Sequence, residues 1–141
     1  MRTALFLLPL LALAACDALG SDVADYDGIV EISLVSVNQT TAAVQLVAVD
    51  DTGCNRPLLT DLDREGLTRT ITVEGIRVPQ GGECEALIPA RAEVVFETGP
   101  DLLLNVTLQV RHAGETDEYL LSGGSDPRLT VVRSTATRLA P

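Results

Sequence analysis

Three sets of residues in this 141-residue chain have types and spacing that could do chemistry: an acidic run at Asp61, Asp63 and Glu65, a single histidine, His112, and three cysteines, Cys16, Cys54 and Cys84. The run "DLDREGL" places Asp61, Asp63, Glu65 and Gly66 at the opening positions of a calcium loop, D-x-D-x-acid-G. Calcium takes about six or more oxygens, and such a loop closes on a bidentate acid about eleven residues after the first ligand. That position holds Thr72, and Glu74 comes two residues too late, although Asp50 and Asp51 could add an oxygen from the adjacent loop. The 50–65 region is thus a calcium candidate whose simpler reading is a solvated acidic turn. His112 allows a general base at one place only. Its parity puts it on the same face as Leu108 and Val110, at a strand end in "HAGETDE", with no serine or cysteine nucleophile in a recognisable motif nearby. The chain has no GxSxG, P-loop or HExxH pattern, and "SGGS" reads as a hairpin loop. The expectation is a protein without a catalytic residue or a cofactor, and not an enzyme.

The cysteines carry the most specific signal. Residues 1–15 open with Met1-Arg2-Thr3, continue through an apolar stretch from Ala4 to Leu13 broken by Pro9, and end in Ala14-Ala15. A bilayer core needs ~20 apolar residues, so the stretch is too short to span and reads as an export signal. It ends in Leu13-Ala14-Ala15-Cys16, which resembles the lipobox of bacterial lipoproteins: an aliphatic residue, two small residues, then cysteine. The resemblance covers about the first sixteen residues and names no family for the rest of the chain. It implies that Cys16 is diacylglycerated, that the signal is cut before it, and that the new amine receives a further chain such as palmitate. Two or three acyl chains hold a protein on a membrane where one alone is marginal. Asp17 marks inner-membrane retention in the enteric lipoproteins this resembles, and the choice between inner and outer membrane stays open.

With Cys16 consumed, Cys54 and Cys84 remain as an even pair in an exported, oxidising compartment, where a disulfide is the default. A loop of about thirty residues closed in this way contributes roughly 3.5 kcal/mol on the chain-entropy model. A zinc site lacks ligands, because one histidine and two cysteines without CxxC spacing do not make one.

The ten basic residues, all arginine, face twenty acids, for a net charge of −10. Phosphate binding gains its affinity from clustered Arg or Lys, so this balance argues against nucleic acid, and equally against lying flat on anionic lipid. Two tyrosines and no tryptophan make a stacking platform for sugars or bases improbable. No small-molecule substrate is evident. Asn38-Gln39-Thr40 and Asn105-Val106-Thr107 fit the glycosylation sequon, which a bacterial lipoprotein would not normally use. Arg69, Arg77, Arg111 and Arg133 could hold a carboxylate-bearing partner if they shared an outward face, and cross-strand pairing with acids is the simpler reading.

These residues need elements to position them, and the pattern beyond the signal has a period of two. "VEISL", "AAVQLVAV", "TRTITVEGIRV", "AEVVFE", "DEYLL" and "RLTVVRSTAT" read as strands, and the clearest alternation runs from Leu102 to Arg111. Gly75 sits where the alternation changes phase, which predicts a bulge or bend. Thr60 to Gly66 is the one stretch that could form a helical turn, capped by Thr60 or Asp61. The expected fold is all-β: an antiparallel β-sandwich of about seven strands, immunoglobulin-like in size, with one disulfide. The expected organisation is a signal at 1–15, the acylated cysteine with a flexible acidic tether at 16–28, and the sandwich at 29–141. The expected role is a bacterial cell-envelope module that meets the membrane through its lipid anchor and an envelope protein of unknown identity through its edges or loops, or alternatively a calcium-dependent domain using the 50–65 region.

Overall fold

The computed structural model describes residues 22–51, 56–78, 88–99 and 105–141. Among these residues there are ten strands and no helix, arranged as two sheets in a β-sandwich. The strands are β1 (Val23–Ala24), β2 (Val30–Val37), β3 (Thr41–Ala48), β4 (Leu58–Glu65), β5 (Thr68–Arg77), β6 (Arg91–Glu97), β7 (Val106–His112), β8 (Glu115–Ser122), β9 (Arg128–Arg133) and β10 (Thr137–Leu139).

The larger sheet runs β4-β5-β7-β8-β9, with β1 joining β5 at Ile76 and Arg77 beyond the stretch that pairs with β7. The smaller sheet runs β10-β2-β3-β6. Most pairings are antiparallel, as the short turns between period-two runs require. Two are parallel, β5 with β7 and β2 with β10. The chain leaves β5 and returns to it as β7 only after β6 has been laid in the opposite sheet, and that crossover gives the parallel register.

Alternation explains the core. Val30 and Ile32 on β2, Val44 and Leu46 on β3, and Val94 and Phe96 on β6 face Ile71 on β5, Leu108 and Val110 on β7, and Tyr119 and Leu121 on β8. On β7 and β8 buried residues alternate with more exposed ones along the strand, whereas β3 at 42–44 and β5 at 69–71 bury three residues in succession. Fully burying one such aliphatic side chain contributes about 1.5–3 kcal/mol, which makes this double layer the dominant stabilising element.

The bulge expected at Gly75 is present. The β4–β5 register passes from Leu59 opposite Gly75 to Thr60 opposite Val73, leaving Glu74 unmatched. Gly75 has φ of 138°, and a Cβ there would stand 2.5 Å from the carbonyl oxygen of Ala24, so only glycine lets β1 approach β5.

Three expectations change. Thr60 to Gly66 forms no helical turn: residues through Glu65 are strand β4, and Gly66-Leu67 is the two-residue turn of the β4–β5 hairpin, with Gly66 at positive φ. The proposed 16–28 tether is not wholly a tether. From Asp22 onward it belongs to the domain, because Val23 and Ala24 pair with Arg77 and Ile76, and the nitrogen of Val78 donates to the oxygen of Asp22. Finally, β1 and β4 are strands that the alternation did not show; of the run from Leu102, residues 102–104 lie outside the described residues, and β7 begins at Val106.

Candidate functional site

Cys16, Cys54 and Cys84 lie outside the described residues. The described ends of the segments carrying Cys54 and Cys84 do meet. The buried Asp51 receives Arg56 Nη2 on Oδ1 at 2.5 Å and the backbone nitrogen of Ala90 on Oδ2 at 2.8 Å. One carboxylate therefore holds both ends of the 52–55 segment and the return from the 79–87 segment at one place.

The calcium candidates do not converge. Asp61, Asp63 and Glu65 lie at alternate positions along β4, and strand geometry separates such neighbours by about 6.7 Å of axial rise on one side of an extended backbone. A calcium loop instead curls its carboxylates around a centre. Among the described residues there is no cluster of three or more His, Cys, Asp or Glu side chains arranged to hold a metal. Within the 50–65 region, residues 58–65 are strand β4, which sets Asp61, Asp63 and Glu65 in a row along the strand.

His112 is buried, in line with its parity. Its Nε2 lies 2.6 Å from the oxygen of Gly28. A carbonyl only accepts, so Nε2 carries the proton and is occupied in a structural bond. The imidazole stacks on Tyr26, with centroids 5.7 Å apart and planes 20° from parallel. Tyr26 Oη in turn donates to the oxygen of Ile29 at 3.0 Å and accepts from the nitrogen of Asp50 at 3.2 Å. Burial raises the Tyr26 pKa above its ordinary value, and the charges of Asp50, Asp51 and Asp27 push in the same direction. Together Tyr26 and His112 latch the 22–29 segment across the end of the sandwich. Beside His112 lies a shallow bowl of about 240 Å³ lined by Arg111, Ala113, Gly114, Glu115, Thr116 and the Thr72–Val73 pair.

Two arginines meet at the opposite corner. Arg69, 2% exposed, donates from Nε to the oxygen of Glu97 at 2.8 Å and from Nη1 to the oxygens of Gly66 and Thr68 at 2.7 and 3.0 Å. Arg64, its cross-strand neighbour, bonds Glu97 Oε2 at 2.5 Å. Desolvation lowers the Arg69 pKa, Arg64 adds to that, and Glu97 opposes it. Glu97 thus ties the β4–β5 hairpin to β6 in the other sheet. Between them an open groove of about 330 Å³ is lined by Leu62, Arg64, Arg69, Val95, Phe96 and Glu97. Of the four arginines considered as partner anchors, Arg69 faces inward, and Arg133 donates to the oxygen of Thr116 at 3.0 Å. They do not form one outward-facing set.

Sequence reasoning missed the densest polar site. Asp117 is 1% exposed and accepts the nitrogens of Thr135, Ala136 and Thr137, at 2.6, 2.9 and 2.5 Å, together with Thr137 Oγ1 at 2.7 Å. Those donors form the turn by which the chain passes from β9 in one sheet to β10 in the other. The signal was there, because the alternation that buries Tyr119 and Leu121 also puts Asp117 on the core face.

Comparison with known proteins adds no assignment: no family model, no curated protein and no solved structure matches the chain.

Proposed function

We propose that this chain is a lipid-anchored, disulfide-stapled β-sandwich of the bacterial cell envelope that acts as a binding or structural module without catalysis. The observation that carries the reading is Leu13-Ala14-Ala15-Cys16 at the end of an apolar stretch too short to span a bilayer. Acylation at Cys16 removes the odd thiol and leaves Cys54 and Cys84 as a pair, and the contacts of Asp51 with Arg56 and Ala90 support that pairing by joining the ends of the two segments that carry them.

The module works by position. With Asp22 already held against β5, the path from Cys16 to the domain spans at most about 20 Å at full extension. The anchor therefore keeps the sandwich close to the lipid surface, with its sheet edges and loops available to a partner.

The test is metabolic labelling with palmitate in cells expressing the full chain and its Cys16→Ser variant. Label on the wild type, none on the variant, and transfer of the variant out of the membrane fraction are expected. A wild-type chain without label, found in the soluble fraction, would overturn the reading.

A further inference from the structure

We propose that the two edges of the six-stranded sheet are complementary and that copies of this chain join through them, β9 of one copy adding antiparallel to β4 of the next. This names the partner of the binding module proposed above; it depends on that non-catalytic role and not on the lipid anchor.

Among the described residues, β9 pairs only with β8, and β4 pairs along its length only with β5; on its other edge it meets β6 through a backbone bridge at Pro57–Arg91 just before the strand and the Arg64–Glu97 ion pair, which leaves the backbone groups of residues 61–65 on that edge without a strand partner. Charges on β4 and the bulge on β9 blunt these edges only in part, because each still exposes aliphatic side chains. Strand β9 reads "RLTVVR" and exposes Val131 (46%) and Val132 (59%), while Leu62 on β4 is 38% exposed. In a chain of net charge −10, the exposed valines are bracketed by Arg128 and Arg133, and Leu62 is bracketed by Asp61 and Asp63, with Glu65 beyond.

The strand directions and register make these charges meet. Strand β4 is antiparallel to β5, β5 is parallel to β7, and β8 and β9 each reverse, so β9 runs opposite to β4. Repeating the sheet side by side therefore brings β9 and β4 together as an antiparallel pair with their outer faces on the same side. Arg128, Thr130 and Arg133 stand level with Ser122, Leu120 and Glu118 on the outer face of β8. Asp61, Asp63 and Glu65 occupy the outer face of β4, since Leu62, between them, stands level with the buried Ile71. Placing Arg128 opposite Glu65 puts Thr130 opposite Asp63 and Val131 opposite Leu62. The bulge at Val132, the residue skipped between Arg133 and Val131 in the β8 register, then brings Arg133 opposite Asp61. Both arginines meet acids, and the valine meets the leucine at the mouth of the β4–β6 groove.

Symmetric pairing of β9 with itself would oppose Arg128 to Arg133 at both ends, and like charges directly opposite are destabilising. The favoured contact is consequently head-to-tail, and such an interface leaves one edge open on each terminal copy, so assembly continues past the dimer.

Sedimentation of the full chain in detergent over a concentration series tests this directly, with Leu62→Lys and Val132→Lys as single-edge blocks. The wild type is expected to grow beyond a dimer, each variant to sediment as a monomer, and an equal mixture of the two variants to give a 1:1 dimer, because each retains the edge the other has lost. Cooperative thermal unfolding checks that the variants are folded, and Arg128→Glu/Arg133→Glu replaces Val132→Lys if that variant fails. A wild type that stays monomeric, Leu62→Lys growing like the wild type, or a mixture that stays monomeric would each overturn edge pairing. So would an assembly that vanishes with Cys16→Ser while both edges are intact, since that is clustering by the acyl chains alone.

Discussion

Tyr119 Oη lies 2.6 Å from Thr137 Oγ1, both residues buried, so a hydroxyl pair joins β8 of the larger sheet to β10 of the smaller one. The Thr137 hydroxyl has a single proton, which it donates to Asp117 Oδ2, and Tyr119 therefore donates to Thr137. The direction of the chain, tyrosine to threonine to carboxylate, is fixed by its acceptor end.

Asp117 should be the costliest single polar residue to remove. Asp117→Ala strips an acceptor from three backbone nitrogens and one hydroxyl in a buried turn, and leaving such donors unpaired costs about 1–3 kcal/mol apiece before relaxation and water entry. A destabilisation of about 3 kcal/mol or more is expected in denaturant unfolding. A loss below about 1 kcal/mol would mean that the β9–β10 turn holds itself.

The tyrosines give a pH prediction. Burial raises the Tyr119 pKa above the ordinary value, against the lowering effect of its bond to Thr137 and with the added push of Asp117. Tyr26 is raised as well, first by desolvation. A raised acid pKa means that the folded state binds the proton more tightly than the unfolded state. The resulting stability is complete below the unfolded value of about 10 and is lost as pH climbs through the folded values. With only two tyrosines and no tryptophan, tyrosinate absorbance follows both directly. Its midpoint should lie above that of a tyrosine peptide and coincide with unfolding, and Tyr119→Phe should flatten the alkaline loss of stability. A native chain giving half its tyrosinate signal at the peptide value would contradict this.

The stack of Tyr26 on His112 should show coupling. His112→Ala and Tyr26→Ala each remove one ring of the stack, and aromatic pairs contribute about 0.5–1.5 kcal/mol beyond their burial. The double variant should therefore lose less than the sum of the singles by that amount. Strict additivity in a double-mutant cycle would show that the rings sit side by side without interacting.

One substitution should stabilise the fold. The β7–β8 turn is Ala113-Gly114, and both residues have positive φ, 49° and 79°. Alanine in that region costs about 1–2 kcal/mol, whereas Asn-Gly is the favoured pair for such a turn. Ala113→Asn should raise the thermal midpoint, with a gain of about 1 kcal/mol. An unchanged or lower midpoint would contradict the strain.

What the sequence revealed and what it concealed follow from how each element is held. The core strands were legible because Val30 and Ile32, Leu108 and Val110, and Tyr119 and Leu121 each alternate with polar residues, and Gly75 announced its bulge by breaking phase. Strand β4 was not legible. "DLDRE" is exposed on both faces and poor in β-formers, so its extension is imposed by pairing with β5, a tertiary effect that local preference does not carry. The same holds for β1, two residues long, and for the parallel pairings, which depend on crossovers between sheets. Asp117 was visible as a polar residue in phase with the core, while its donors at residues 135–137 come from across the β8–β9 hairpin and have no local signature.

The central claim, a module anchored at Cys16 and stapled through Cys54 and Cys84, is tested most directly by the intact mass of the full chain isolated from a bacterial membrane fraction, measured with and without reductant. The account predicts a chain lacking residues 1–15, heavier by acyl groups on Cys16, and gaining the mass of a hydrogen pair on reduction. An unacylated chain with Cys16 as a free thiol, or a mass unmoved by reductant, would contradict it.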